Sequence, residues 1–98
     1  MMTLRTVLFA SDGSPIADAA RAHADALVAR HGATLHVLRV ELVPPAGDLR
    51  AKAPSETRSL GLVEVVRFAP SADTAIVDYA AEIDADLVVI GTHGRTGW

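Results

Sequence analysis

Short apolar runs recur along the chain and are separated by segments with helical periodicity. Four runs combine apolar, β-branched and aromatic residues, which is typical of buried strands. They occupy residues 6–10, 34–40, 62–68 and 87–90. The run at 62–68 alternates partly with polar residues and is predicted as an edge strand. The run at 87–90 is entirely apolar and is predicted to be buried on both faces.

Two segments place apolar residues at helical spacing. The first extends from Pro15 to about His31, with Ser14 as a suitable N-cap and Gly32 placed to end the helix. The second begins after Ser71, another good N-cap. Its apolar stripe consists of Ile76, Val77, Ala80 and Ile83.

Residues 41–60 lack either pattern and contain Pro44, Pro45 and Pro54. Prolines disfavour a long helix, so we predict a flexible surface loop over about 41–60, with no more than a short helical turn around 55–60. The resulting order is β-α-β-loop-β-α-β. This order predicts a parallel sheet with right-handed crossovers.

The composition fits one small domain with a real core. The 98 residues are 50% hydrophobic, with a mean hydropathy of +0.28. The net charge is −3 and the charges are interspersed, so we expect no nucleic-acid partner. The absence of cysteine excludes disulfides and thiolate chemistry. No leader pattern or membrane-spanning run occurs, so we expect no membrane partner and a cytoplasmic location.

Two loops carry the residues best suited to binding a ligand. Asp12 follows the first strand, and Gly91, His93 and Gly94 follow the fourth. Because parallel strands end at one edge of a sheet, both loops face one crevice if the two strands are neighbours. Asp12 can accept hydrogen bonds, and the glycines let a phosphate approach backbone N–H groups. This arrangement indicates an adenine nucleotide or a similar ligand lying across the two strands.

Each of these features also has a purely structural explanation. A pair such as Asp12-Gly13 commonly forms a turn in which the carboxylate bonds its own backbone. A G-x-x-G pair is often only a tight turn, and His93 is compatible with an exposed loop position. The residues alone leave both interpretations open.

Several enzyme classes are disfavoured because the sequence lacks the motifs that they require. The sequence contains no G-x-x-x-x-G-K-[ST], no G-x-G-x-x-G after a strand and no G-x-S-x-G. A response-regulator receiver domain needs an acidic cluster and a later lysine, but the only lysine here is Lys52, in the predicted loop. The histidines lack metal-ligand spacing, and no nucleophile–base pair can be assembled. We therefore predict no catalysis beyond weak ATP hydrolysis, and no metal site.

Two segments resemble the universal stress protein family. Residues 7–14, VLFASDGS, are similar to the first strand and loop of that family, and residues 85–97, ADLVVIGTHGRTG, are similar to its most recognisable motif. The order of helices and strands fits over the whole chain. The resemblance implies an α/β, doubly wound, Rossmann-like parallel sheet. In it the four predicted strands take the order 3-2-1-4, and the family adds a fifth strand.

Many members of that family bind ATP, and the resemblance implies where a nucleotide would lie. Asp12 would meet the adenosine, and the Val40 backbone would flank the adenine. Ile90 and Gly91 would approach the ribose and phosphates, and His93 and Gly94 would line the phosphate loop. The predicted nucleotide-binding residues are therefore Ala10, Asp12, Val40, Ile90, Gly91, His93 and Gly94.

The chain departs from the family pattern in three ways. It ends at Trp98, before a later G-[ST] pair, the fourth helix and the fifth strand; Trp98 itself stands where a smaller aliphatic residue is usual. The region after the second strand is rich in proline where the family has a helix. We therefore expect a single, incomplete domain over 1–98. It would bind ATP or another adenine nucleotide, with or without Mg²⁺, weakly or not at all.

Without a fifth strand, the strand at 87–91 would be an open edge. Its unpaired N–H and C=O groups would belong to a very apolar segment. We therefore expect a homo-oligomer formed through that edge. Two functions stay open at this point. One is an adenine-nucleotide-binding regulatory or stress-response protein, and the other is a structural or interaction module that acts through dimerisation or partner binding.

Overall fold

The computed structural model describes residues 4–11, 14–42 and 55–91. Within these ranges the chain forms five strands and two helices. Their bounds are β1 Thr6–Ser11, α1 Pro15–His31, β2 Thr34–Leu42, β3 Ser55–Ser59, β4 Leu62–Ala69, α2 Ala72–Ile83 and β5 Leu87–Gly91.

Both helices begin at the capping residues that the sequence indicates, and α1 also ends where predicted. The Ser14 hydroxyl accepts a hydrogen bond from the Ala17 N–H at 3.1 Å, and Ser71 caps α2 in the same way. Gly32 ends α1 in the left-handed conformation, at φ 63°. Asp84 ends α2 at φ 55°, a conformation that aspartate tolerates better than most residues.

The strands form one sheet in the order β3-β4-β2-β1-β5. The pairs β4–β2, β2–β1 and β1–β5 are parallel, whereas β3 is antiparallel to β4. The four predicted strands therefore lie in the predicted order 3-2-1-4. This confirms the doubly wound α/β fold class, with one additional strand at the β4 side.

That additional strand corrects the prediction for residues 41–60. Ser55–Ser59 is a strand and not a helical turn; the turn at Leu60 and Gly61, with Gly61 at φ 75°, joins it to β4. All five β3 residues are exposed, and their sequence, SETRS, contains no apolar residue. The sequence therefore shows no apolar alternation that would indicate a strand here. Because β3 covers the outer side of β4, the prediction of 62–68 as an edge strand is wrong. Residues 43–54 of the predicted loop lie outside the described residues.

Two apolar clusters pack on the two faces of the sheet. On one face α1 covers a cluster of Val7, Phe9, Ala17, Ala24, Ala33 and Leu35. On the other face α2 covers a cluster of Leu8, Ala10, Leu38, Val40, Val63, Val65, Ala72, Ile76 and Tyr79. The small alanines of α1 let this helix lie close to β1 and β5, which matters for the site below.

Among the described residues, the strand β5 is covered on one face only. Leu87 and Val89 pack with the α1 cluster, but Val88 and Ile90 on the opposite face are 38% and 53% exposed. The prediction that this strand is buried on both faces is therefore wrong. The reason is that α2 packs over β2, β4 and β1, which leaves the adjacent face of β5 open. In the described ranges, neither helix has the length and apolar character needed to cross a lipid bilayer.

Candidate functional site

The carboxyl ends of β1 and β5 lie side by side in the sheet. Ala10 is in register with Ile90 and Ser11 with Gly91, while Ser11 also faces Arg39 on β2. The condition for a shared crevice, adjacency of the first and fourth predicted strands, is thus met. The described residues end at this edge: Asp12, His93 and Gly94 lie outside them, whereas Ala10, Val40, Ile90 and Gly91 lie within them.

Ala10 and Val40 are core residues and not surface groups. Ala10 is fully buried and Val40 is 4% exposed, both in the cluster under α2. Their side chains are unavailable to a ligand, so only backbone atoms could make contact. Val40 lies two residues beyond Leu38, which is the register partner of Ala10. The end of β2 therefore lies at the same edge of the sheet.

Gly91 is held against the first turn of α1. A Cβ atom at this position would lie 2.8 Å from Ala17 Cα and 3.0 Å from both Ala17 Cβ and Phe9 Cζ. The glycine is therefore required by packing between helix and strand, whatever it also does for a ligand. By contrast, the Ile90 side chain lies on the other face, in a groove beside α2.

This packing brings the N-terminus of α1 to the candidate site, which the sequence analysis missed. The positive end of the helix dipole lies next to the end of β5 and favours an anion there. Few N–H donors accompany it, because Pro15 has none and the Ala17 N–H is bonded to Ser14. The available signal was the Ser14-Pro15 cap followed by the small Ala17, together with Gly91.

A polar recess of about 370 Å³ adjoins the same edge on the α1 side of the sheet. It extends from Ser11 across β2 and β4 to β3, and its charged or polar lining is Asp18, Arg39, Ser55, Thr57 and Glu64. Arg39 pairs with Glu41 at 2.6 Å. Both charge signs are present, so the recess is suited to hydrogen bonding with a neutral polar group.

The groups with shifted pKa values lie elsewhere. In the core under α2, His36 Nδ1 is 2.9 Å from the Tyr79 hydroxyl; burial lowers the pKa of His36 and raises that of Tyr79. At the other end of β1 and β5, where both strands begin, the Asp86 carboxylate accepts hydrogen bonds from the N–H groups of Arg5 and Thr6. These hydrogen bonds lower the pKa of Asp86. Asp86 thus joins the starts of β1 and β5. Among the residues described, no three His, Asp or Glu side chains are grouped to hold a metal ion.

Comparison with known proteins agrees with this architecture. The chain is similar to a universal stress protein from Archaeoglobus fulgidus DSM 4304, with 28% sequence identity and a TM-score of 0.61. The match covers 92% of this chain and 33% of the archaeal chain, so this chain spans about a third of that protein. A search of curated proteins found no match.

A family model gives the broader result. It describes the Universal stress protein family and matches residues 3–98, which is nearly the whole chain. The matched range includes both segments that resemble the family and all five strands of the sheet. The chain therefore belongs to the universal stress protein family.

Proposed function

We propose that the protein is an adenine-nucleotide-binding regulatory protein of the stress response that acts in the cytoplasm. The observation that carries this proposal is the pairing of Ser11 with Gly91. Because of this pairing, the loops that follow β1 and β5 start at the same edge of the sheet. Asp12 would accept hydrogen bonds from the adenosine. The backbone of Ala10, Val40 and Ile90 would border it.

The adenosine part of the ligand is expected to dominate recognition. Phosphates would meet Gly91, His93 and Gly94 and the positive end of α1, but this helix end offers few N–H donors. A neutral sugar or base can use the mixed polar groups of the adjoining recess. The affinity should therefore depend little on the number of phosphates and on Mg²⁺.

A thermal-shift panel tests this proposal. Adenosine, AMP, ADP and ATP, each with and without Mg²⁺, should raise Tm by similar amounts. A ligand at about 100 times its Kd adds roughly 2.7 kcal/mol to the free energy of unfolding, which is readily detected. Asp12→Ala should abolish the shift. Asp25→Ala is the matched control, since Asp25 is exposed on α1 and pairs with Arg21.

Two results would contradict the proposal in different ways. If none of the ligands raises Tm, the protein does not bind adenine nucleotides. If ATP binds tightly and adenosine does not, titration calorimetry will show a triphosphate-dependent affinity, and the phosphates rather than the adenosine are recognised.

A second candidate function is an interaction module that forms homo-oligomers through β5. Its supporting observation is that, within the described ranges, β5 pairs only with β1, while Val88 and Ile90 on it are exposed. Such an edge is a template for strand pairing with another chain.

Light scattering over a range of concentrations tests self-association. We expect a rise in mass with concentration that Val88→Lys suppresses, because a charged side chain protects an edge strand from pairing. Leu60→Lys is the control, since Leu60 is fully exposed in the turn between β3 and β4. A chain that stays monomeric at high concentration would exclude this function.

A further inference from the structure

The strand β3 forms one end of the sheet, and β5 forms the other. Within the described ranges β3 pairs only with β4, and all five of its residues are exposed. Leu42 and Ser55, which flank the connection from β2 to β3, lie opposite Ala69 and Val66. The connection therefore starts and ends near the carboxyl end of β4. The outer side of β3 is a template for pairing with a further strand.

Opposite charges alternate along β3 on one face of the sheet. Glu56 and Arg58 lie opposite Val65 and Val63, which belong to the cluster under α2, so both charged side chains are on the α2 face. They form an ion pair within the strand, with 41% and 67% of their side chains exposed. Thr57 between them is on the other face. The strand β3 is therefore electrically neutral in a chain whose net charge is −3.

We propose that β3 pairs antiparallel with β3 of a second copy of this chain, so that the two sheets become continuous. A two-fold axis through Thr57 places Thr57 opposite itself, Ser55 opposite Ser59 and Glu56 opposite the partner's Arg58. Each glutamate then meets an arginine on the same face of the joined sheet. Opposite charges in directly opposed positions stabilise an antiparallel pair, and a pair of threonines does so as well.

The charges and the length of β3 select the same register. Side chains that are directly opposite in an antiparallel pair share a face, so a one-residue slip is excluded. A two-fold axis at Glu56 or at Arg58 would oppose identical charges and leave only residues 55–57 or 57–59 of β3 in the overlap. Charged residues ordinarily protect an edge strand from pairing. Here the axis through Thr57 gives each charge its opposite, which a second copy supplies by symmetry.

The contact also reaches the polar recess on the α1 side of the sheet. Ser55 and Thr57 line that recess, so the partner's Thr57 would border it from across the two-fold axis. Because β3 and β5 lie at opposite ends of the sheet, this contact depends neither on nucleotide binding nor on pairing through β5.

Sedimentation velocity over a range of concentrations tests the proposal. A pair of five-residue strands is a small interface, so we expect a weak dimer with a Kd on the order of 100 μM. Glu56→Arg and Arg58→Glu should each raise this Kd by about tenfold, because each opposes like charges at two symmetric positions. Val88→Lys, which discourages pairing through β5, should leave the Kd unchanged.

Mixing the two charge reversals separates pairing from folding. All chains in this experiment carry Val88→Lys, so that only pairing through β3 is measured. An equimolar mixture of the Glu56→Arg and Arg58→Glu chains should associate as a heterodimer, because every charge again meets its opposite. The double variant Glu56→Arg/Arg58→Glu should self-associate as the parent does. The matched controls are Asp25→Arg and Arg21→Glu, which reverse the charges of an ion pair on α1 and should leave the Kd unchanged.

Four outcomes would overturn the proposal. One is a chain that stays monomeric up to about 1 mM. Another is association that Val88→Lys abolishes, which would place the contact at β5. If the single reversals weaken association and neither the mixture nor the double variant restores it, the reversals act through the fold. Finally, amide hydrogen exchange in β3 should slow as the concentration rises; protection that is the same at all concentrations would show that the chain's own residues cover this edge.

Discussion

Replacing Gly91 with alanine should destabilise the fold by about 2 kcal/mol, which lowers Tm by roughly 10 °C in a domain of this size. The added Cβ would lie 2.8 Å from the backbone Cα of Ala17, and backbone cannot yield as a flexible side chain can. Valine should cost more. Chemical denaturation with circular dichroism measures both effects.

The sign of this effect is informative. Glycine to alanine in a strand ordinarily stabilises slightly, because the unfolded chain loses conformational freedom. Gly61 supplies the contrast: a Cβ there meets nothing within 4 Å, but φ is 75°. Gly61→Ala should cost about 1 kcal/mol from backbone strain, and Gly61→Asn should be nearly neutral because asparagine tolerates this conformation. Gly91→Asn should be as damaging as Gly91→Ala. Little loss of stability in Gly91→Ala would mean that α1 does not pack closely on β5.

This packing role of Gly91 affects how the proposed nucleotide site can be tested. Loss of nucleotide binding in a Gly91 variant would not identify a phosphate contact, because the variant also displaces the N-terminus of α1 from the end of β5. Asp12→Ala is the cleaner experiment, since the proposed role of Asp12 is a side-chain contact with the ligand.

The sequence predicted the helices and the central strands well, because each has a strong local signal. Ser14, Gly32 and Ser71 limit the helices as capping residues should. The strands β1, β2 and β4 contribute to two buried apolar clusters, and the apolar residues that mark them in the sequence reflect that burial. The order of the four predicted strands came instead from the resemblance to the universal stress protein family, and it agrees with the observed sheet.

The errors lie where tertiary contacts overrule local pattern. Ser55–Ser59 has a sequence, SETRS, without apolar alternation, and it is a strand because β4 offers it a hydrogen-bonding edge. Val88 and Ile90 belong to an apolar run but are exposed, because no described element packs on that face. An apolar run indicates what a strand can bury and not whether a partner is present.

The candidate site was only partly predictable for a related reason. Adjacency of the loops after β1 and β5 follows from strand order, and the register of Ser11 with Gly91 agrees with it. The approach of α1 to Gly91 depends on three-dimensional packing with Ala17 and Phe9, which no local motif reports. The recess that reaches Thr57 requires β3, a strand that no local pattern in the sequence indicates.

A buried polar pair provides the second prediction with a large effect. His36 on β2 is 8% exposed and Tyr79 on α2 is 3% exposed, and their polar atoms are 2.9 Å apart. Tyr79→Phe should destabilise the fold by about 1–3 kcal/mol at neutral pH, because it leaves His36 Nδ1 buried without its partner. The phenyl ring keeps the contact with the Arg67 guanidinium, 5.1 Å from the ring centre, so packing is retained.

The double variant His36→Leu/Tyr79→Phe is the matched control for that loss. Replacing both polar partners with apolar groups is often nearly neutral, whereas removing one leaves an unsatisfied group. We therefore expect the double variant to be less destabilised than the sum of the two single variants. Additive effects would show that the hydrogen bond contributes nothing of its own.

The same pair should make the stability of the fold dependent on pH. Burial lowers the pKa of His36 below its ordinary value of 6.5, and Arg58 on β3 lowers it further, while Glu56 on β3 opposes them. On the other side of the pair, Arg67 of β4 and Glu82 of α2 are paired beside Tyr79. The neutral imidazole is thus the form that the fold accepts.

The sign of the pH effect follows from the two states. Below pH 6.5 the unfolded chain takes up a proton at His36 that the folded chain resists, so the free energy of unfolding falls as the pH decreases toward the folded pKa. Urea unfolding at a series of pH values should show this fall in the parent chain and in His23→Asn, which alters an exposed histidine on α1. The double variant His36→Leu/Tyr79→Phe should lose the part that His36 contributes. If the parent and the double variant have the same slope between neutral and mildly acidic pH, His36 does not titrate with folding, and its imidazole is accommodated equally well in both charge states.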